Sequence, residues 1–195
     1  KVRWMNSFLS KEELKSLGLK SYGENVLISR FARIYSADKI SIGSNVRIDD
    51  FCLLSGKINL GNNIHIAAYA AMFAGDAGIV MEDFSCLSSR VTVYAITDDY
   101  LGDYLTNSTI PSKYKNIISK EVIIKKHVLI GASSVVLPGV VLEEGSSFGA
   151  MSFINKSSLP WTVNIGQPAR VLKERSKKLL LLEEKYLSEK KNEKN

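Results

Sequence analysis

Large apolar residues recur along this chain at an interval of six. One series runs Ile124, Ile130, Val136, Leu142, Phe148, Ile154, and an earlier one runs Ile42, Ile48, Leu54, Leu60, Ile66, Met72. Four residues after each member comes a second set. It reads Val128, Ser134, Val140, Ser146, Ser152 in the later series and Val46, Cys52, Ile58, Ile64, Ala70 in the earlier one. A three-residue slip in "GDAG" shifts the phase, and the count resumes at Met81, Leu87 and Val93. An interval of six fits neither an amphipathic helix nor a heptad. The stretch "IGASSVVLPGVVLEEGSSFGAMSFI" also holds too much Gly, Ser and Pro for a helix. A fixed internal period outranks local propensity, and this one predicts a solenoid. Each hexad supplies one short flat strand and one corner, three hexads close a triangular coil, and stacked coils share a continuous core. The large residue at i and the smaller one at i+4 point inward. Glycine at i+1 (Gly43, Gly61, Gly131, Gly149) predicts a tight backbone turn there.

The period also marks where the solenoid stops. "FLSKEELKSLG" reads as a short helix: Ser10 is the N-cap, Glu13 completes a capping box, Leu9 staples against Leu14, and Gly18 ends it. Such a helix would cover the open first coil. The hexads fail over "TDDYLGDYLTNSTIPSKYKNIISKE", a polar stretch with one Pro and three Tyr, which predicts a loop ejected from a corner. Loops of that length on a compact scaffold are usually functional. Coils resume from Val122 to Lys156. After "LPWTVNIGQPAR" the chain turns helix-prone, with Leu179, Leu182 and Tyr186 on the face expected to pack on a coil or a neighbouring subunit, and a frayed "KKNEKN" at the end. The expected organisation is a helical cap over 1–24, a β-helix over 25–158 with an extruded loop at about 98–120, and a C-terminal extension with a helix over 159–195.

Composition narrows the function. The chain has 195 residues, 45% hydrophobic and 24% charged, enough for one domain with a buried core. No apolar run approaches the roughly 18–20 residues of a membrane helix. The opening "KVRWMNSFLSKEELK" lacks the apolar stretch of a secretory signal. Both point to the cytoplasm without membrane insertion; the absence of an initial Met leaves the native start open. The net charge of +6 favours anionic ligands. Aromatics are not interleaved with a basic stripe, which disfavours nucleic acid and leaves phosphorylated small molecules. Cys52 and Cys86 have neither metal spacing nor a partner motif, so they read as reduced thiols, and no ligand cluster implies a metal.

The run "IGASSVVLPGVVLEEGSSFGAMSFINKS", followed by the exit "NIGQPARVLKER", resembles the hexapeptide-repeat acyltransferases, over about residues 25–172. The resemblance implies an all-β solenoid, the left-handed parallel β-helix, whose hand the period does not contain and which departs from the usual right-handed crossover. It implies a homotrimer with each active site in a cleft between subunits. It implies acetyl-coenzyme A as co-substrate, its pantetheine arm passing Gly131, Ala132, Gly149 and Ala150, and its phosphates meeting Lys156, Arg170 and Lys173. Plain corners would account equally for the small residues, and a solvated basic face for the cations.

In the same family, many members that acetylate hydroxyls carry a His at the mouth of the loop, because an alcohol needs a base to become a nucleophile. The matching place here reads "YAITDDYLGDY", with Asp98 where the His would be and Asp99 following. His65, at i+5 after Leu60, should point outward, and His127, at i+3 after Ile124, reads as a surface residue. An amine needs less activation; a carboxylate can orient it and take its proton, and adjacent carboxylates raise one another's pKa. Asp98 and Asp99 are therefore the candidate catalytic residues, for N- rather than O-acylation, although "TDD" also suits an Asx turn opening the loop. The stretches "NVRIDDFCLLSG", "FSCLSSRVTVYAITDDYLGDYLTN" and "FINKSSLPW" resemble the enzymes that acetylate a dTDP-4-amino-4,6-dideoxy sugar for surface polysaccharides such as O-antigen. That implies a nucleotide-sugar substrate, with Arg90, Tyr100, Lys113, Lys115 and His65 as candidate contacts. Two rivals stand beside this reading: a saccharide O-acetyltransferase using His65 or His127 as base, and a non-catalytic β-helix scaffold. The long loop and basic exit argue against the scaffold.

Overall fold

A computed structural model describes residues 7–192, which wind into a left-handed parallel β-helix of about seven turns. Every coil crosses three flat faces in the same order. On the first face Ile42, Leu60, Met81, Ile124 and Leu142 stack in register. On the second the column is Ile28, Ile48, Ile66, Leu87, Ile130 and Phe148. On the third it is Ile34, Leu54, Met72, Val93, Val136 and Ile154. These columns are the six-residue series dealt out over three faces, and all members except Ile34 are buried. Burying a side chain of this size stabilises by about 1.5–3 kcal/mol, so the columns dominate the energetics. The i+4 residues are buried as well. At two of them the serine hydroxyl donates to the carbonyl three residues back, Ser134 to Gly131 and Ser152 to Gly149, both at 2.7 Å, whereas the Ser146 hydroxyl accepts from Ser158 Oγ at 3.0 Å. A small hydroxyl therefore fills the corner and satisfies a carbonyl that the turn removes from the ladder.

The corners correct one expectation. The backbone turns at i+3, not at i+1. Asn45, Asn63, Phe84 and His127 on one corner, and Phe51, Tyr69, Arg90, Ser133 and Met151 on another, take φ between 56° and 64°. Gly131 and Gly149 have no left-handed φ. A Cβ on Gly131 would lie 2.5 Å from the Ala150 nitrogen, and one on Gly149 2.9 Å from Ile165 Cγ2. Glycine stands at i+1 because the next coil passes too close for a side chain.

The solenoid begins inside the expected cap, with Ser21–Tyr22 stacked parallel on Ser41–Ile42, and two larger exceptions follow. Helix α1 (Lys11–Ser16) has both capping-box bonds between Ser10 and Glu13, and its Leu14 is buried over the first coil. Residues 1–6 of the expected cap lie outside the described residues. The loop leaves and returns through a short antiparallel ribbon, Ile96–Thr97 against Ile118–Ser119. Across it Met81 still pairs with Ile124 and Val93 with Val136, so the stack is undisturbed. The first exception is the exit. Thr162–Gly166 stacks on the sixth coil and then pairs antiparallel with Ala169–Glu174, a hairpin the hexad count does not foresee. Here the second-face column ends on a polar residue, Asn164, buried with its Nδ2 donating to Thr162 Oγ1 (3.0 Å) and Ser147 O (3.2 Å).

The second exception is helix α2 (Leu179–Asn192), which runs back along the corner between the first and second faces. Leu179, Leu182 and Tyr186 face the coils as expected, around a hollow shared with Phe84, Val128 and Leu129, and Tyr186 sits edge-on to Phe84 at 6.2 Å, but the bonds that anchor the helix are polar. Glu183 meets Lys126 Nζ at 2.6 Å and His127 Nε2 at 2.8 Å, Tyr186 donates to Asn63 Oδ1, and Leu182 stays 69% exposed. Helix persists through Asn192 where fraying was expected; residues 193–195 lie outside the described residues.

Candidate active site

A groove lies along the third face, its upper part toward the corner where the loop leaves for the first face and its lower part toward the corner shared with the second. Its upper part is a cavity of about 510 Å³ under the loop. The floor is apolar: Phe73 and Tyr94, stacked at 5.2 Å between centroids, with Val135 and Phe153 from later coils. Ile96, Thr97, Asp98 and Tyr100 enter from the outgoing arm of the loop, and Lys115 and Ile117 from the returning arm. A lower part of about 290 Å³ shares Val135 and Phe153 and continues past Ser133 and Met151 to Gln167 and Pro168. The two parts make one elongated channel, polar at its upper wall and apolar along its floor, of the shape a long thin ligand requires.

The two candidate carboxylates separate sharply. Asp98 faces the cavity. Its Oδ2 accepts the Asn107 amide at 3.2 Å, and its Oδ1 makes no hydrogen bond among the described residues. Asp99 is turned away and buried, its Oδ2 taking amides of Gly102, Asp103 and Tyr104. Burial pushes the Asp99 carboxyl upward, but the surrounding backbone amides outweigh it and hold the group below the ordinary carboxylate range.

Of the expected acyl-donor contacts, Gly131, Ala132, Gly149 and Ala150 line up on the corner between the second and third faces, next to Ser133 and Met151 of the lower part, and none of the four lines the channel itself. The glycines owe their place to coil stacking, as above. The alanines differ: among the described residues the amides of Ala132 and Ala150 donate to no backbone carbonyl, while the neighbouring Met151 amide donates to Ala132 O at 2.8 Å. Amides left out of the ladder are what an extended amide-bearing ligand can use. Lys156 and Arg170 come together around a hollow of about 300 Å³ at the last coil, with Ser157 and Asn155. Lys173 lies farther along the exit hairpin, opposite Val163, and does not line it.

The substrate candidates scatter. Tyr100 and Lys115 line the upper cavity, and Lys115 Nζ donates to the Asn107 carbonyl at 3.0 Å. Lys113 lies over the Tyr114 ring, and Arg90 stands on the corner with its guanidinium over Tyr69. His65 is outward on the second face as expected, bonded to Asp49 Oδ2 at 2.8 Å. His127 is not a surface residue: it is 7% exposed, stacked on Phe84 and bonded to Glu183, on the corner away from the channel. Neither histidine lines the cavity beside Asp98. Cys52 is buried, its thiol pushed by burial up to about 11.

Two residues escaped the sequence reading. Asn107 holds Asp98 through a backbone amide, which no side-chain pattern reveals. Ser88 follows Leu87 on the corner between the second and third faces, where Ser29, Asp49, Ala67, Gly131 and Gly149 stand in other coils, and its hydroxyl has no partner among the described residues. The Ser29 hydroxyl, by contrast, donates to Asp50, so what sets Ser88 apart is a free hydroxyl, which a sequence does not display.

No family model matches the chain. Two relatives do. A protein of Escherichia coli, dTDP-4-amino-4,6-dideoxy-D-glucose acyltransferase, is 47% identical over 91% of this chain and 93% of its own length. AntD, an N-acyltransferase from Bacillus cereus, matches in crystal structures of several forms. An aspartate-to-alanine variant with dTDP and coenzyme A has a TM-score of 0.93 and 51% identity, covering 95% of this chain and 100% of that one. A serine-to-alanine variant with dTDP-4-amino-4,6-dideoxyglucose and coenzyme A has a TM-score of 0.94 and 51% identity, over 95% and 100%. A third, with dTDP and 3-hydroxybutyryl-CoA, has a TM-score of 0.94 and 51% identity, over 96% and 100%. In AntD the substituted serine precedes the aspartate by ten residues. With nearly half its residues identical over nine-tenths of its length, and with the matching solenoid, the chain belongs to the hexapeptide-repeat family of dTDP-4-amino-4,6-dideoxy-D-glucose acyltransferases.

Proposed function

We propose that this chain is an acyl-coenzyme A-dependent N-acyltransferase whose acceptor is the amine of a dTDP-4-amino-4,6-dideoxyglucose-type sugar nucleotide, with acetyl as the acyl group. It would act in the cytoplasm on the way to a surface polysaccharide such as O-antigen. The observation that carries the reading is Asp98, a carboxylate with one free oxygen, at the wall of an elongated channel that no histidine lines. Ser88 and Asp98 are ten residues apart, the separation of the serine and aspartate substituted in AntD. Ser89 and Asp99 share that separation, but Asp99 is committed to the loop.

The coenzyme supplies an activated thioester. The chain's residues supply the rest. Asp98 Oδ1 orients the neutral amine and receives its proton as the amide C–N bond forms and the thioester C–S bond breaks, the coenzyme leaving as a thiolate to which that proton then passes. An unpaired corner amide, at Ala132 or its counterpart one coil up, donates to the oxygen where charge develops. Ser88 offers a second donor at the same corner. Lys156 and Arg170 suit the phosphates of the donor's nucleotide. Arg90 on the corner suits the diphosphate of the sugar nucleotide. Site and channel form from a single prism side, and the half-exposed rings of Phe31, Phe51 and Tyr69 along the corner between the second and third faces support a homotrimer in which a second copy walls the cleft.

The test is a panel of dTDP- and UDP-linked amino sugars, each with acetyl-CoA and with 3-hydroxybutyryl-CoA, following free thiol. The dTDP-4-amino sugar should turn over, its 4-hydroxy analogue should not, and Asp98→Asn should lower kcat by about 10²–10⁴-fold. Equal turnover of the hydroxy sugar, or loss of activity on His65→Ala instead, would install the O-acylation reading.

A further inference from the structure

Adjacent and chemically identical, Asp98 and Asp99 have opposite surroundings. Asp99 Oδ2 collects three amides, from Gly102 (2.8 Å), Asp103 (3.0 Å) and Tyr104 (3.4 Å), and closes a turn at the root of the loop. Beyond it, Asn107 takes a left-handed φ of 74° and its Oδ1 accepts the amide (2.9 Å) and hydroxyl (2.6 Å) of Thr109. The Asn107 carbonyl accepts Lys115 from the returning arm, and its amide donates to Asp98. Asp98 is thus gripped from two sides. One grip is chain continuity with the turn closed by Asp99. The other is an amide presented by a turn that Asn107 and Lys115 close.

We propose that Asp99 is a positioning residue that, together with Asn107 and Lys115, aims the Asp98 carboxylate at the acceptor amine, and that it is not a second base. This rests on the role given to Asp98 above. A carboxylate oxygen already accepting three amides, on a buried residue, cannot reach a substrate without breaking the turn. Protonating it would weaken all three bonds at once, since a neutral carboxyl is the poorer acceptor. Its lowered pKa agrees in sign: the turn's electrostatic support is present above the ordinary aspartate value and is lost as pH falls through the depressed one.

Asparagine and alanine at 99 tell aiming from proton transfer. Asparagine keeps an Oδ1 that accepts the same amides and cannot carry the proton; alanine keeps nothing. On the full chain, with the dTDP-amino sugar and acyl-CoA, Asp99→Asn should hold kcat close to the parent. Asp99→Ala should lose up to about a hundredfold in kcat, the scale of a 1 Å misplacement, with KM for acyl-CoA unchanged. Inactivity of Asp99→Asn equal to that of Asp98→Asn would overturn the proposal while leaving the role of Asp98 intact, and this variant decides alone should the alanine form fail to fold. Parent-like kcat in Asp99→Ala would overturn it too. Full activity in Asp98→Asn would instead remove the function reading, and the proposal with it.

Discussion

Gly131 follows Ile130 at a place where the sequence suggests a turn, yet its φ is ordinary and its missing Cβ faces the Ala150 nitrogen of the next coil. Gly131→Ala is therefore an overpacking change. It should cost about 1–3 kcal/mol and lower the melting temperature by several degrees in the absence of any ligand. A variant that melts like the parent but no longer binds coenzyme A would return the glycine to the ligand. The same scale shows what side-chain identity alone can carry. Ile48, Leu54 and Ile130 were legible as core because size and apolarity decide burial. The division of labour between Asp98 and Asp99 was not, because it depends on which way each carboxylate points. That is set by the amides of 102–104 and 107, groups every residue but proline possesses.

At the level of elements, α1 was readable to the atom because its start is written in side chains: Ser10, Glu13 and Leu14 each perform the task their type suggests. The face of α2 was readable, since Leu179, Leu182 and Tyr186 do turn to the coils, but its anchor was not: Glu183, a residue that reads as solvated, sits between Lys126 and His127. Arg175, just before the helix, donates to the carbonyls of His127 and Gly145 and fixes where it starts. Burial alone would raise the Glu183 carboxyl, but the bonds from Lys126 and His127 prevail and hold it below the usual glutamate range. The docking it provides is thus present above the ordinary glutamate value and lost as pH falls through the depressed one. Glu183→Ala should cost on the order of 1.5–3 kcal/mol of docking energy. Amide exchange over 179–192 should rise in this variant at neutral pH, and in the parent only on acidification, with the coils still protected. Unchanged exchange in Glu183→Ala would mean that the leucines hold the helix after all.

For the whole molecule, the winding was legible because every coil repeats the same six-residue rule and the loop returns in register. The assembly is another matter, since a period describes what faces inward. Along the corner between the second and third faces Phe31, Phe51 and Tyr69 remain 51%, 52% and 53% exposed, stacked on one another at 5.7 and 4.9 Å. In the turn that Asp99 closes at the loop root, Tyr100 and Leu101 are 88% and 86% exposed. Apolar surface gathered like this on one edge is characteristic of an interaction site, and a second copy of the chain is the partner a flat-faced prism fits. Light scattering should therefore return the mass of three chains. Phe51→Glu combined with Tyr69→Glu places two carboxylates on that edge, outside the core, and should yield a folded single chain with its coil protection intact and its turnover lost. A parent protein that is a single chain in solution and fully active would show that one prism side and its loop suffice for the chemistry.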